Sequence, residues 1–358
     1  MVVWLVFCGG LAALLAGAEL FVRGSSRLAV AMGVPALVIG LTIVAFGTSA
    51  PEAAVGIQAA LRGDADVGLG NVIGSNIANV LLILGIASLV SPLPVSTRVV
   101  RVDVPVMIAV SALFWLLCLD GTLGRWDGLL LLALTVVYNV WLVSAARRDA
   151  PPVEHGPGGP VRRLSSVVYV LAGLAAIVIG ADWLVEGAVS LAHAFGLSEL
   201  VIGLTVVAVG TSMPEVATSL VAGLRGEQDI AVGNAVGSNV FNILMVIGAT
   251  ATLAPTPIRV APAALAFDLP IMLIVAVSCL PIFFIGYRIG RWQGTLFLFY
   301  YAAYTWYLIL RAKEHDALHD FSFVLTRFVI PLTAAVIAVL AYRGWHRRRA
   351  AAEERGRR

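Results

Sequence analysis

Two glutamates lie in parts of the chain that are otherwise almost free of charge. Glu52 and Glu215 each end the run Gly-Thr-Ser-x-Pro-Glu inside a long apolar stretch. An ionised side chain inside a membrane is expensive, and such residues usually face a cavity and mark a path for ions or protons. The two motifs therefore predict a pair of mid-membrane carboxylates that hold a small cation or a proton.

Hydroxyl groups accompany both glutamates. Thr48 and Thr211 each lie one helical turn before a glutamate, so each hydroxyl shares a helix face with its carboxylate. The hydroxyl side chains of the two motifs are those of Thr48, Ser49, Thr211 and Ser212. They add oxygen ligands beside the two negative charges.

The prolines of the motifs predict broken helices. Pro51 and Pro214 immediately precede the glutamates, and proline removes a backbone donor and clashes with the preceding turn. A helix that breaks in a membrane exposes carbonyl groups, which is tolerated beside an ion or water. The carbonyls near Ala45 and Ala208 are therefore further candidate ligands.

A second repeated motif supplies amides and hydroxyls at intervals of four residues. Its polar stripes are Asn71, Ser75 and Asn79 in one copy and Asn234, Ser238 and Asn242 in the other. Buried amides and hydroxyls need partners in lipid, so we expect the stripes to face Glu52 and Glu215. For any single residue of the stripes, the alternative is a hydrogen bond that only holds two helices together.

The ligand set contains only oxygen and carries a formal charge of −2. Ca²⁺ accepts six to eight oxygen ligands in flexible geometry, whereas Mg²⁺ gives up its water reluctantly. Transition metals prefer His or Cys, and neither lies near the motifs. Several Na⁺ ions could occupy the same oxygens instead. If the carboxylates bind either one Ca²⁺ or several Na⁺, binding of one kind of ion excludes the other.

The composition requires a membrane protein. Apolar residues make up 60% of the 358 positions, charged residues make up 13%, and the mean hydropathy is +0.95. The net charge of +3 does not indicate nucleic acid, because Lys and Arg lie in short connections between apolar segments. The cysteines lie far apart in apolar stretches and predict neither a disulfide framework nor a metal cluster.

Hydropathy predicts eleven membrane spans and one orientation. The spans are roughly 2–22, 35–61, 67–90, 103–119, 127–145, 166–186, 199–224, 230–254, 264–286, 292–310 and 323–342. With the N-terminus outside, 18 Lys and Arg face the cytoplasm and five face outward. The positive-inside rule therefore predicts a multi-pass inner (plasma) membrane protein with an outside N-terminus and a cytoplasmic C-terminus.

The chain repeats itself after 163 residues. Gly40–Glu52 matches Gly203–Glu215 in 10 of 13 positions. Each copy holds five predicted spans, and an odd number turns the second copy upside down, as in many secondary transporters. The predicted units are a first repeat over 1–146, a cytoplasmic linker over 147–165, a second repeat over 166–310, and an extra helix with a basic tail over 311–358.

The paired motifs resemble the two alpha repeats of the cation/calcium exchanger superfamily, most closely its prokaryotic sodium/calcium exchanger branch. The resemblance covers roughly residues 1–310 and implies an all-α integral membrane fold, a ten-helix core of two inverted five-helix repeats. The eleventh helix and the Arg-rich tail depart from that core. The glutamate of each first motif binds Ca²⁺ and Na⁺ in that family, which implies this role for Glu52 and Glu215. The further ligands implied are Thr48, Ser49, Thr211, Ser212, Ser75, Asn79, Ser238 and Asn242, while Asn71 and Asn234 stay second-tier candidates.

These features predict a secondary antiporter that exchanges Na⁺ for Ca²⁺ by alternating access at a midplane site. A Ca²⁺/H⁺ antiporter of the same fold and, less favoured, a cation channel stay open. We expect no cofactor, with Ca²⁺ and Na⁺ as substrates, and small cations and the bilayer as partners. No nucleotide is expected because a phosphate-binding Gly-x4-Gly-Lys-Ser/Thr motif is absent. An enzyme is not expected, since neither His nor Lys joins Ser49 and Glu52.

Overall fold

The computed structural model describes residues 2–63, 65–149, 163–194, 210–313, 315, 317–340 and 342, and these residues are mostly helical. The helices are α1 (Val2–Met32), α2 (Ala36–Thr48), α3 (Ala50–Arg62), α4 (Ala65–Val90), α5 (Val99–Leu117), α6 (Arg125–Asp149), α7 (Arg163–Ala194), α8 (Met213–Leu224), α9 (Gln228–Leu253), α10 (Ala264–Phe284), α11 (Arg291–Ala312) and α12 (Phe321–Leu340). The predicted all-α membrane fold is confirmed.

The described helices cover the predicted spans with differences in number and length. Within the described ranges, eight helices are long and apolar enough to cross a membrane, and the bent pair α2 and α3 makes a ninth. Helix α8 is shorter, and the predicted span 199–224 lies partly outside the described residues. Helix α11 has 22 residues, but its tyrosines and tryptophans make it less apolar. The count of eleven spans therefore stays a prediction.

Helices α1 and α7 are longer than the predicted spans 2–22 and 166–186. The predicted end of α1 was wrong because the charges near it were read as the membrane boundary. Glu19 instead forms ion pairs with Arg23 on the next turn and with Arg225 beyond α8. These pairs allow the helix to continue past its charges to Met32.

Helices α1 and α7 pack tightly along each other in opposite directions. Residues near the start of α1 contact the end of α7, and residues near the end of α1 contact its start. A Cβ at Gly17 would lie 2.6 Å from the backbone nitrogen of Ile177, and one at Gly173 would lie 2.8 Å from the carbonyl oxygen of Gly17. Small residues let two membrane helices approach this closely.

The helices with the polar stripes form the centre of the molecule. In the most apolar stretch of each helix, 78% of the residues of α4 and 94% of those of α9 are buried, compared with 6% in α12. Both central helices contain a wide π-helical turn, Asn79–Ile83 in α4 and Asn242–Ile247 in α9. Such turns frequently occur at functional sites, and here each begins at the last asparagine of a stripe.

Short strand pairs tie the two halves of the chain together. Strand β1 (Leu93–Pro94) pairs with β4 (Arg288–Ile289), and β2 (Thr122–Leu123) pairs with β3 (Ile258–Arg259), both antiparallel. Each pair joins a loop of the first half to a loop of the second half. Two loops that share hydrogen bonds must lie on the same side of the membrane.

Candidate functional site

The first Gly-Thr-Ser-x-Pro-Glu motif lies at a break between two helices. Helix α2 ends at Thr48 and α3 begins at Ala50, and their axes bend by 43°. Ser49 between them has φ −82° and ψ 3°. Pro51 occupies the first turn of α3, where its missing N–H would lack a helical partner in any case. The predicted break at this motif is confirmed.

The second motif has the same local geometry. Ser212 has φ −89° and ψ 6°, and Pro214 and Glu215 lie in the first turn of α8. The segment before Gly210 lies outside the described residues. The two glutamates therefore occupy the same position, the first turn of a helix, in each copy of the motif.

Both carboxylates are buried and both benefit from their helices. The exposed fraction is 0% for Glu52 and 1% for Glu215. The N-terminus of a helix carries partial positive charge, which favours a carboxylate in the first turn. The Ser49 hydroxyl, three residues before Glu52, lies 3.5 Å from Glu215 Oε1, so the two glutamates belong to one site. Two like charges in a buried site require a counter-charge, which a cation or a proton can supply.

The threonine hydroxyls connect each motif to the stripe of the opposite repeat. Thr48 Oγ1 donates to Asn234 Oδ1 at 3.0 Å, and Thr211 Oγ1 donates to Asn71 Oδ1 at 3.3 Å. Thr48 and Thr211 are equivalent in the 163-residue repeat, and so are Asn71 and Asn234, so the two bonds are the same bond made once from each repeat. Each threonine hydroxyl therefore has an asparagine acceptor on the opposite repeat.

The serines of the site form a similar set of contacts across the repeats. Ser49 Oγ donates to Glu215 Oε1 at 3.5 Å, and Ser212 Oγ donates to Ser75 Oγ at 3.4 Å. Ser238 Oγ lies 3.4 Å from Thr48 Oγ1. The fold thus brings together serines that are far apart in the sequence.

The last asparagines of the stripes bond to two residues that the sequence analysis missed. Asn79 Nδ2 donates to Asn239 Oδ1 and Asn242 Nδ2 donates to Asn76 Oδ1, each at 3.0 Å. Asn76 and Asn239 lie one residue after the serines of the stripes, so the interval of four did not select them. Their presence in both copies of Gly-Ser-Asn was the signal that could have identified them.

A group of buried oxygen atoms in the site has no hydrogen-bond donor among the described residues. These atoms are Glu52 Oε1 and Oε2, Glu215 Oε2, Asn79 Oδ1 and Asn242 Oδ1. A buried polar atom without a partner is costly in a folded protein. Five acceptors and two negative charges together form the kind of oxygen-only set that a hard cation prefers.

The prediction that the helix break frees the Ala45 carbonyl is wrong. The Ser49 backbone N–H donates to the Ala45 carbonyl oxygen at 3.0 Å, because α2 keeps its helical bonding up to the bend. The Thr48 hydroxyl also lies 3.4 Å from the same carbonyl oxygen. Ala208, the equivalent candidate in the second copy, lies outside the described residues.

A cavity of about 310 Å³ opens beside both motifs. Its wall includes Pro51, Pro214 and Thr211, together with the acidic side chains of Asp182 and Glu186 on α7. The equivalent positions on α1 are Glu19 and Arg23, which form an ion pair that also includes Arg225. The two sides of the site therefore differ, since acidic residues line a cavity on one and ion pairs connect the helices on the other.

Comparison with known proteins decides the family. The family described as sodium/calcium exchanger protein matches residues 2–144 and 165–310. The chain belongs to the sodium/calcium exchanger family. It is therefore a multi-pass membrane transporter, a cation/calcium antiporter and not an enzyme.

Individual relatives align with this exchanger over most of the length of both proteins. It is 39% identical to the inner membrane protein YrbG of Escherichia coli (strain K12) over 75% of this chain and 84% of the relative. It is 32% identical to the sodium/calcium exchanger MaX1 of Methanosarcina acetivorans over 84% of this chain and 97% of that one. A solved structure of the sodium-calcium exchanger NCX_Mj superposes with a TM-score of 0.72 and 31% identity, covering 83% of this chain and 95% of that chain.

Proposed function

We propose that this exchanger moves Ca²⁺ against Na⁺ at one site between the two Gly-Thr-Ser-x-Pro-Glu motifs. The observation that carries the proposal is the set of buried oxygens without donors on Glu52, Glu215, Asn79 and Asn242. One Ca²⁺ would neutralise both carboxylates and accept these oxygens as ligands. The name of MaX1 and the structures of NCX_Mj soaked with Na⁺ and Ca²⁺ support the same two ions.

Exchange follows if both ions use the same oxygens. Na⁺ is also a hard cation, so several Na⁺ ions would occupy the ligands of one Ca²⁺ and exclude it. Each net positive charge that moves inward gains about 2.3 kcal/mol per 100 mV of membrane potential. A ratio above two Na⁺ per Ca²⁺ would use that energy to export Ca²⁺.

The neighbouring side chains have distinct roles in this proposal. Thr48, Ser49, Thr211, Ser212, Ser75 and Ser238 supply hydroxyl oxygens around the carboxylates. Asn71 and Asn234 accept the threonine hydroxyl protons and so direct the hydroxyl lone pairs toward the ions. The Ala45 carbonyl oxygen, and that of Ala208 by analogy, would be additional backbone ligands if they exchange a present contact for the cation.

We also propose that residues 1–146 and 166–310 are inverted repeats that give access from alternate sides of the inner membrane. The antiparallel packing of α1 and α7, the equivalent first helices of the repeats, supports this arrangement. The strand pairs support the predicted order of the spans as well, because each pair joins two loops that this order puts on one side of the membrane. They join loops 93–94 with 288–289 and loops 122–123 with 258–259, which the charge count places together on the inside and outside respectively.

The cavity beside Asp182 and Glu186 is the proposed access path from the outside. The positive-inside count places this part of α7 in the outer half of the membrane. Acidic side chains on a cavity wall raise the local concentration of cations. On the cytoplasmic side, the ion pairs of Glu19 with Arg23 and Arg225 would keep α1 in contact with the end of α8 while the site is open outward.

Transport into membrane vesicles tests the proposed function. We expect radiolabelled Ca²⁺ to enter vesicles loaded with Na⁺ and to stay outside vesicles loaded with K⁺. Glu52→Gln and Glu215→Gln should each abolish uptake, because an amide removes a charge that balances Ca²⁺. Asp66→Asn, on the exposed start of α4, is the control and should transport normally.

The same assay separates the alternatives. Uptake that follows an imposed proton gradient and ignores internal Na⁺ would replace Na⁺ by H⁺ as the coupling ion, since buried carboxylates bind either. Ca²⁺ flow without any Na⁺ or H⁺ dependence would identify a channel. Uptake that survives both glutamine substitutions would contradict the site itself.

A further inference from the structure

Two buried asparagines lie behind the proposed ligands. Asn76 on α4 is 2% exposed and Asn239 on α9 is 3% exposed. Each follows a stripe serine by one residue and therefore points away from the stripe toward the helices of the opposite repeat. Among the described residues, the hydrogen bonds of these two side chains go to asparagines and methionines, so their role has to be sought in those partners.

Each of these asparagines accepts a hydrogen bond from the last asparagine of the other stripe. Asn79 Nδ2 donates to Asn239 Oδ1 and Asn242 Nδ2 donates to Asn76 Oδ1, both at 3.0 Å. These bonds use the amide NH₂ groups of Asn79 and Asn242. The carbonyl oxygens Asn79 Oδ1 and Asn242 Oδ1 have no donor among the described residues.

A methionine sulfur lies on the other side of each amide. Asn239 Nδ2 points at Met107 Sδ on α5 at 3.3 Å, and Asn76 Nδ2 points at Met272 Sδ on α10 at 3.7 Å. Asn76 Nδ2 also donates to the backbone carbonyl oxygen of Asn239 at 3.3 Å. A thioether sulfur carries no proton and only accepts. The NH₂ end of each amide must therefore face the sulfur.

This contact determines the direction of the next amide. If Asn239 Nδ2 faces the sulfur, Asn239 Oδ1 faces Asn79. Because Asn239 Oδ1 only accepts hydrogen bonds, the NH₂ group of Asn79 must be the end that faces it. The carbonyl oxygen of Asn79 is then left on the site side. The same sequence of contacts runs from Met272 through Asn76 to Asn242.

We propose that Asn76 and Asn239 are positioning residues that orient the amides of Asn242 and Asn79 so that oxygen, and not NH₂, faces the transported cation. The inference rests on the proposed function, in which Asn79 and Asn242 are cation ligands. A reversed amide would present two protons to Ca²⁺ and would repel it. Orientation of these amides therefore determines Ca²⁺ affinity more than it determines helix packing.

Substitution of the positioning residue tests the proposal. Asn239→Leu should raise the KM for Ca²⁺ in Na⁺-loaded vesicles about tenfold or more, because the Asn79 amide becomes free to rotate. The maximal rate at saturating Ca²⁺ and the thermal stability should change much less. Asn139→Leu is the control, since the one hydrogen bond of the Asn139 side chain among the described residues goes to the Thr135 carbonyl of its own helix at 2.9 Å, and its KM should equal that of the wild type.

A compensating substitution distinguishes orientation from general damage. Both branches of an aspartate end in oxygen, so Asn79→Asp does not need a partner to select its direction. In the Asn79→Asp background, Asn239→Leu should leave the KM for Ca²⁺ unchanged or lower it, because it also removes the repulsion between Asp and Asn239 Oδ1. An equal rise of KM in both backgrounds would overturn the proposal.

Two further variants keep the outcomes separable. If Asn79→Ala raises the KM for Ca²⁺ but Asn239→Leu does not, the positioning role is overturned and the proposed site stands. If Asn79→Ala has no effect, Asn79 is not a ligand and both statements about it fail. Should Asn239→Leu not fold, Met107→Leu decides, because it conserves volume while removing the sulfur; a normal KM for Ca²⁺ in that variant would overturn the proposal.

Discussion

Each glutamate of the site lies in the first turn of a helix whose N-cap residue is the serine of the same motif, Ser49 or Ser212. The partial positive charge of the helix N-terminus lowers the free energy of a buried carboxylate, but by only about 1 kcal/mol. That is far less than the cost of burying two like charges. In the proposed site the remaining stabilisation comes from a bound cation or proton, so the affinity for the transported ion depends on the oxygens around the two carboxylates.

At the residue scale, the Thr48 hydroxyl should matter for affinity. Thr48→Val removes one oxygen and leaves Asn234 Oδ1 without its donor at 3.0 Å, which costs roughly 1–3 kcal/mol. We expect the KM for Ca²⁺ to rise between about fivefold and a hundredfold. Uptake of Ca²⁺ into Na⁺-loaded vesicles measures it.

The control for this residue lies on the same helix. Thr42 Oγ1 donates to the Val38 carbonyl of its own helix at 2.6 Å and takes no part in the site. Thr42→Val makes the same chemical change and should leave the KM for Ca²⁺ close to that of the wild type. A similar KM in both variants would remove the Thr48 hydroxyl from the ligand set.

At the scale of elements, the contact between α1 and α7 depends on the absence of side chains. A Cβ at Gly17 would meet the backbone of Ile177 and Ala176 within 2.9 Å. Backbone atoms cannot move aside as a flexible side chain can. Overpacking of this kind typically costs about 1–3 kcal/mol.

Gly17→Ala should therefore lower the thermal stability of the purified exchanger in detergent. Gly9→Ala, two turns earlier on α1, is the matched control, because no described residue lies within 4 Å of the Cβ that it would add. Melting monitored by tryptophan fluorescence compares the two. Equal melting temperatures would mean that α1 and α7 are not in the contact described.

At the scale of the whole molecule, the orientation can be tested at two points of the chain. We expect a periplasmic reporter such as alkaline phosphatase to be active when it is fused after Lys313, because α11 leads outward in the predicted orientation. A fluorescent protein fused after Arg358 should fluoresce, because α12 returns the chain to the cytoplasm. Reporter signals that put Lys313 in the cytoplasm, or that put Lys313 and Arg358 on the same side, would contradict eleven spans with the N-terminus outside.

Helix α12 lies outside the part of the chain that matches the family. The match ends at residue 310, and Tyr300 of α11 holds α12 through a hydrogen bond of 2.7 Å from its hydroxyl to Thr333 Oγ1. We expect a chain that ends at Lys313 to keep Na⁺-dependent Ca²⁺ uptake within about threefold of the full chain, since the proposed site lies between α2, α3, α4, α8 and α9. Loss of uptake by a truncated protein that still inserts and folds would assign α12 a role in transport.

The sequence by itself determined the class of protein, the two motifs and the oxygen-only chemistry of the candidate ligands. Carboxylates in apolar stretches, proline beside them and polar residues every four positions are local patterns, and local patterns are visible without a fold. The break at Ser49 followed from Pro51 in the same way. The fate of the Ala45 carbonyl did not, because it depended on whether the helix before the bend kept its bonds.

Only the tertiary structure decided which atoms meet across the repeats. The partner of Thr48 lies 186 residues away in Asn234, and that of Asn79 lies 160 residues away in Asn239. No local period connects such positions, since their proximity arises from how α2, α4 and α9 cross. The direction of an amide also depends on what lies behind it. The sequence therefore identified Asn79 as a candidate ligand, whereas the packing of Met107 and Asn239 determined that its oxygen is the atom turned away from them.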